Sequence, residues 1–398
     1  MRGETQAAPA IDVAGMIGFL RELVQLRTVA EVGESAAAAL VADKMRSFGW
    51  SPSVTEVAPG RPNVTARIDG GGGPGPVLAF EGHTDVVTEG DATEWSFDPY
   101  SGELKDGRVY GRGSADMKAG LAAMIYAVAA LAAAGPFPGS ILLCALADEE
   151  GMMLGAKHAC AAGDLHGVDG VIVCEPEEGE ICAVAKGALR LRVGFTGKMA
   201  HGAMPSHGRN PLPAVGRLLA GAPALQDELQ ARYGSHEHLG ALYLTPTVVL
   251  GGASSQVNVI PGTASVYFDV RTVPGASHAS IIGAVSALAS SACGSSGVTA
   301  IVSVIDDRPP VDTPLSHPVV ECLAYAHTAV TGSPPVYGGV PGTTDGTILS
   351  RDGGLATVVY GPGGKWIAHQ ADEYVEVDDV ERCARVYVEA ARRFLGVR

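Results

Sequence analysis

The sequence predicts an α/β protein: a larger domain with a mostly parallel mixed sheet flanked by helices, plus an inserted ferredoxin-like α+β domain. Three observations carry this. Apolar runs at residues 77–80 (VLAF), 140–147 (SILLCALA) and 171–174 (VIVC) have the length and composition of strands buried on both faces of a parallel sheet. Stretches with helical spacing of apolar residues lie between and around them. From about Gly187 the pattern changes: Leu189, Leu191, Val193 and Phe195 alternate with Arg190, Arg192 and Gly194, as in a half-exposed antiparallel strand.

Taken in order, residues 11–27 place Ile11, Met16, Phe19, Leu20, Leu23 and Leu26 on one helical face. Ser35 reads as the N-cap of a second helix that Gly49 closes. Residues 53–57 and 63–68 read as strands, and the glycines at 70–75 as a turn. Asp116 opens an Ala-rich helix whose apolar run, residues 121–134, is 14 residues long. That is too short to cross a bilayer and fits a core helix. In the insertion, a helix at 211–233, strands at 247–250, 265–271 and 301–304, and a helix at 280–290 complete a strand-helix-strand-strand-helix-strand order. The domains are therefore expected at 1–186 with 305–398, and at 187–304. The remainder returns to α/β texture, with a helix at 317–331, a buried strand at 357–360 and an amphipathic helix at 380–394.

With 46% hydrophobic and 18% charged residues over 398 positions, the chain is globular with a large core. A formal net charge of −15 argues against nucleic acid or an anionic membrane as partner, but not against a small anionic substrate. The seven cysteines are scattered, with no C-x-x-C, which fits reduced thiols in a cytoplasm. Residues 1–10 lack the apolar core of a signal peptide and read as a loose arm.

The chemistry collects at strand ends. His83 and Asp85 follow the first buried run, Asp148, Glu149 and Glu150 the second, and Glu175 the third. In open α/β sheets, reactive groups gather beyond the carboxyl ends of the strands. Three adjacent acids at such a place are costly unless something positive faces them. Two imidazoles, His83 and His369, with three carboxylates, Asp116, Glu150 and Glu175, suit a pair of zinc-like ions sharing one bridging carboxylate. Asp85 suits the second nitrogen of His83, and Glu149, beside a ligand but not itself needed as one, is the expected general base.

The motifs EGHTDVV, GRGSADMKAG, ADEEG, VCEPEEGE and AHQADEYV, in this order, resemble the M20 family of metallopeptidases and amidohydrolases. The acetylornithine deacetylase / succinyl-diaminopimelate desuccinylase branch is the nearest in appearance. The resemblance covers nearly the whole chain. It implies two divalent ions, zinc with cobalt or manganese as alternatives, held by His83 and His369 as terminal ligands, by bridging Asp116, and by Glu150 and Glu175. It implies that Glu149 is the base and Asp85 orients His83. It implies that His201 stabilises the oxyanion in the neighbouring subunit of a homodimer paired through the insertion. Asn258 and Arg271 would contact substrate, and the loop with Gly342, Thr343 and Thr344 its carboxylate. The expected substrate is a small carboxylate-bearing N-acyl amino acid or peptide. Gly151-Met152-Met153-Leu154 lacks the small polar residue common in the deacetylase branch, which leaves the acyl group open.

Alternatives within the family are a dipeptidase and a glutamate-type carboxypeptidase. From outside it come a metal-bearing binding protein, disfavoured by the presence of Glu149, and a two-metal phosphoesterase, disfavoured by the GRGSADMKAG order.

Overall fold

A computed structural model describes residues 10–397. Of the expected N-terminal arm, residues 1–9 lie outside the described residues. The chain divides into two compact units, residues 1–183 with 312–340 and 344–398, and residues 184–311 with 341–343.

The larger unit is built on a mixed sheet. Its strands run in the order Ser53–Ala58, Arg61–Asp69, Ser140–Leu146, Val77–His83, Gly170–Val173, Thr357–Val359, Ile181–Ala185 and Val311–Asp312, with Tyr337–Val340 also pairing to Ile181–Ala185. Four of them form a parallel centre: Val77–His83 is parallel to both its neighbours, and Thr357–Val359 is parallel to Gly170–Val173. All three apolar runs thus end at the same edge of the sheet. That edge is the place where a parallel sheet offers a crevice.

Helices Val13–Val24, Ala119–Ala133, Pro318–Thr331 and Val377–Phe394 share one core with these strands. The Ala-rich helix is enclosed within this core, with residues 119–128 all buried. Its small side chains permit close approach. A Cβ added at Gly120 would sit 2.0 Å from the main-chain oxygen of Cys174, so only glycine lets the helix pass the end of that strand. The last helix buries Val380, Cys383, Ala384, Tyr387, Val388 and Ala391 at helical spacing. It carries Asp378 and Asp379 in its first turn and Arg392 and Arg393 in its last, matching the helix dipole.

The smaller unit has a four-stranded antiparallel sheet in the order Tyr243–Gly251, Thr263–Thr272, Gly187–Thr196, Thr299–Arg308. Helices Leu212–Tyr233 and His278–Cys293 cover one face, against Leu189, Leu191, Val193, Phe195, Val266 and Phe268. The order is ferredoxin-like. Its edge strands expose Val248, Val249, Leu250, Ile301, Val304 and Ile305. In this unit His278 Nδ1 lies 2.6 Å from Asp307 Oδ1 and Nε2 2.8 Å from Thr272 Oγ1. The arrangement mimics a nucleophile–base–acid relay, but Thr272 is fully buried. It fastens the start of a helix to two strands instead.

Two expectations are corrected. Ser35 is the first residue of its helix, Ser35–Ser47, and not its cap; its hydroxyl donates to the carbonyl of Gly60. The insertion is longer than 187–304. Its last strand continues past a bulge between Val304 and Asp306 to Arg308, because Arg190 and Arg308 both bind Asp306. Lys186 is tied to the carbonyl of Ala241, and Thr343 accepts from Arg308.

Gly120→Ala tests the close helix–strand approach. Overpacking of this kind costs about 1–3 kcal/mol and at times more. Denaturant unfolding should show that loss, whereas Gly49→Ala, where a Cβ meets nothing within 4 Å, suffers only the strain of its positive φ.

Candidate metal centre

The Val77–His83 strand delivers His83 to the sheet edge with 1% exposure. Its Nδ1 donates to the main-chain carbonyl of Asp85 at 3.0 Å. That contact fixes the tautomer and leaves Nε2 to face Asp116 Oδ1 at 3.1 Å and Glu175 Oε1 at 3.4 Å. His369, whose side chain is half exposed, directs its Nε2 at Glu150 Oε1, 2.7 Å away, and at Asp116 Oδ2, 3.3 Å away. Asp116 therefore presents one oxygen to each imidazole, with Glu175 beside the first and Glu150 beside the second. This is the donor pattern of two cations sharing a bridging carboxylate. The residues fit such a pair on chemistry as well: nitrogen and carboxylate donors only, with no thiolate among them.

Local backbone explains the placement. Asp116 does not cap the Ala-rich helix, which begins at Ala119; its φ of −112° and ψ of 97° are non-helical. The carboxylate is thereby freed from capping and turned to the imidazoles. Asp148 and His369 both have left-handed backbones, with φ of 67° and 66°. Asp148 opens a tight turn closed by Met153 N–H on its carbonyl at 2.7 Å.

Asp85 has a second task that the sequence did not suggest. Its Oδ1 accepts from Glu149 N–H at 3.1 Å and its Oδ2 from Glu150 N–H at 3.0 Å. Its carboxylate lies 3.5 Å from His83 Nδ1, farther than its own carbonyl. One side chain thus sets both the candidate base and a candidate ligand. Burial pushes the Asp85 carboxyl up, but His83 and these two amides outweigh it and hold it below its ordinary value.

The remaining electrostatics follow from crowding of charge. Burial raises Asp116, yet hydrogen bonds from His369 and His83 prevail and keep it ionised. Hydrogen bonds to Asp116 and Glu150 push His369 up to about 10. Burial opposes the charge on His83, but Glu175, Asp116 and Asp85 raise it well above its ordinary value. Glu175 is pushed up to about 8, first by burial and then by Asp116. Burial also drives Glu149 well up, with Glu150 and Glu175 adding to it. A buried carboxyl with this tendency to hold a proton suits general acid–base work.

His201, Asn258, Arg271, Gly342 and Thr343 belong to the smaller unit, and Thr344 to the larger. His201 is exposed on a two-residue strand paired with Val259–Ile260, and its Nδ1 accepts from Ala203 N–H at 3.1 Å. Asn258 is exposed, and its carbonyl accepts from Gly202 N–H. Arg271 is held by both oxygens of Asp269, at 2.6 and 3.3 Å. Thr344 is buried, and its hydroxyl accepts from Gly346 N–H. Another acidic group, Glu177 and Glu180 beside Cys182, already faces a cation: Lys365 Nζ lies 3.0 and 2.7 Å from the two carboxylates.

A large mixed sheet with two imidazoles and a shared carboxylate at its parallel edge defines a di-metal hydrolase of the α/β class. Residues 79–393 match the model of peptidase family M20/M25/M40, and the chain belongs to that family. It is 31% identical over 383 residues to a succinyl-diaminopimelate desuccinylase of Methylorubrum populi, covering 91% of this chain and 94% of that one. Its fold is similar to the aminopeptidase PepT of Bacillus cereus, with a TM-score of 0.78 at 19% identity, covering 96% and 99% of the two chains. It is also similar to the Bacillus subtilis YXEP protein, a dinuclear metal-binding peptidase of the M20 family, with a TM-score of 0.74 at 18% identity and coverage of 97% and 99%.

The donor set implies proton-coupled metal binding. His83, His369 and Glu175 all hold protons more tightly in the folded chain than their ordinary values allow. Their contribution to stability is complete below those ordinary values, 6.5 for His and 4.5 for Glu. It is lost as pH rises through the folded values, about 8 for Glu175 and about 10 for His369. A cation has to displace these protons. Titrating metal-depleted protein calorimetrically at pH 7, in two buffers of different ionisation enthalpy, should reveal proton release, and affinity should rise with pH. Uptake of two ions with no proton released contradicts this electrostatic picture.

Proposed function

We propose that this chain hydrolyses the amide bond of a small N-acyl amino acid, of the acetyl or succinyl type, with two zinc ions in the larger unit. The observation that carries the reading is Asp116 facing His83 and His369 with its two oxygens, with buried Glu149 next to the candidate ligand Glu150. The desuccinylase name of the Methylorubrum relative supports an acylated amino acid as substrate. The peptidase names among the structural neighbours support cleavage of a peptide bond as the second reading. The seven unpaired cysteines support work in a reducing cytoplasm.

His83, Glu175, Glu150, His369 and bridging Asp116 would hold the ions, which when bound polarise a carbonyl and acidify water. Glu149 takes the proton from the attacking water and returns it to the leaving amine. Its raised affinity for a proton matches both halves of that task. Asp85 holds Glu149 in place through its amide. Arg271, preset by Asp269, and the Gly342-Thr343-Thr344 segment bind the substrate carboxylate, Asn258 contacts substrate, and His201 donates to the oxyanion.

A panel of N-acetyl, N-succinyl and N-formyl amino acids, dipeptides and their methyl esters tests this reading. Free acids should be turned over and esters poorly, since losing one buried charge-assisted contact costs about 2–5 kcal/mol. Glu149→Ala should abolish turnover while both ions remain bound. Turnover of dipeptides alone moves the assignment to the second reading, and equal rates for acids and esters remove the carboxylate site.

The exposed apolar edge strands of the smaller unit support a homodimer in which His201 serves its neighbour. Mixing inactive Glu149→Ala and His201→Ala chains should restore activity, up to about half of wild type per hybrid dimer by counting sites. Hybrids that form and stay inactive leave His201 acting within its own chain or not at all.

A further inference from the structure

The sheet edge brings Asp116 and His369 together from segments more than 250 residues apart, and both belong to loops rather than regular elements. Their relative position therefore needs a tie. The structure supplies one outside the donor set. Glu373, fully buried, accepts from the main-chain N–H of Ala115 at 3.0 Å and of Asp116 at 3.2 Å with its Oε1. Its Oε2 takes the guanidinium of Arg112, which is 2% exposed. Arg112 is itself anchored, with Nε on the carbonyl of Thr88 at 3.3 Å and its guanidinium 5.2 Å from the Trp95 ring centre.

The main chain repeats the tie. The carbonyl of Glu373 accepts from Gly111 N–H at 2.9 Å, and strand Tyr374–Glu376 pairs with Arg108–Tyr110 directly beyond it. Between His369 and Glu373 the chain makes a left-handed turn at Asp372, with φ of 57°, whose carboxylate accepts from Ser96 N–H at 2.7 Å. The segment carrying His369 is thus clamped to the segment carrying Asp116, and Glu373 closes the clamp on the peptide that orients the Asp116 side chain.

We infer that Glu373, supported by Arg112, is a positioning residue that sets the bridging carboxylate of Asp116 in register with His369, and that the cation affinity of the site depends on its oxygen at those two amides. Sites of this kind tolerate displacements of only about 0.5 Å, and losing a partner behind the ligands costs 10–100-fold in metal affinity. The inference rests on the two-ion reading of the site.

The experiment titrates Co²⁺ into metal-depleted full-length protein and follows the visible absorption of the bound ion, with thermal unfolding measured beside it. Glu373→Ala removes the acceptor and should weaken cobalt binding about 10–100-fold and alter its spectrum. The double variant Arg112→Met with Glu373→Gln removes the buried ion pair yet keeps an oxygen for the two amides. It should restore cobalt affinity to within about threefold of wild type and regain the spectrum, even where thermal stability stays lower. Where the Ala chain does not fold, Glu373→Asp takes its place: the charge remains, the oxygen is withdrawn by one methylene, and the same loss is expected. Unchanged affinity and spectrum in the Ala or Asp variant overturn the inference. So does affinity that merely tracks melting temperature across the set, since a purely structural role produces that. If wild type itself fails to bind two cobalt ions, the two-ion reading falls first, and the inference falls with it.

Discussion

The structure depends on how a folded domain tolerates Asp116, Glu149, Glu150 and Glu175 in one small volume at the end of a sheet. Buried carboxylates without positive partners are expensive. Here two imidazoles approach the group, His83 from the central strand and His369 from a loop, and Asp116 gives one oxygen to each. The acids respond differently. Asp116 stays ionised, while Glu149 and Glu175 are driven toward their protonated forms by burial and by one another. Asp116 offers a fixed anion to a divalent cation, which has to displace the protons its neighbours hold, while the proton affinity of Glu149 suits proton transfer.

Main-chain amides do much of the remaining organisation. Asp85 collects the N–H groups of Glu149 and Glu150, and Glu373 those of Ala115 and Asp116. In both cases a buried carboxylate orients the peptide from which a functional side chain departs. Orientation by way of the peptide leaves the functional oxygens unspent. Turns at the site, at Asp148 just before Glu149 and at His369, hold backbones few side chains adopt.

The smaller unit follows a different logic. Its core is an ordinary sheet-on-helix interface, and its polar pairs include Arg190 with Asp306 across two strands and Arg271 with Asp269 along one strand. These pairs stiffen long side chains on the face away from the helices.

Much of this was legible in the sequence. Strands buried on both faces read as continuous apolar runs, so the central strands and the acids after each of them stood out, and the five ordered motifs placed the chain in its family. The alternation after Gly187 marked the insertion because a half-exposed strand has period two. What the sequence could not supply was any pairing across distance. Nothing in GRGSADMKAG or AHQADEYV says that Arg112 meets Glu373, although both lie inside those motifs. Nor does it say that Asp85 holds the Glu149–Glu150 turn, since spacing reports periodicity within an element and hydrogen bonds between loops have none. The cap position at Glu34 and the end of the insertion at 311 were misplaced for the same reason. Local pattern determined which residues carry the chemistry. Tertiary structure alone decided which oxygen faces which imidazole, because that geometry is set where segments distant in the chain converge on one end of the sheet.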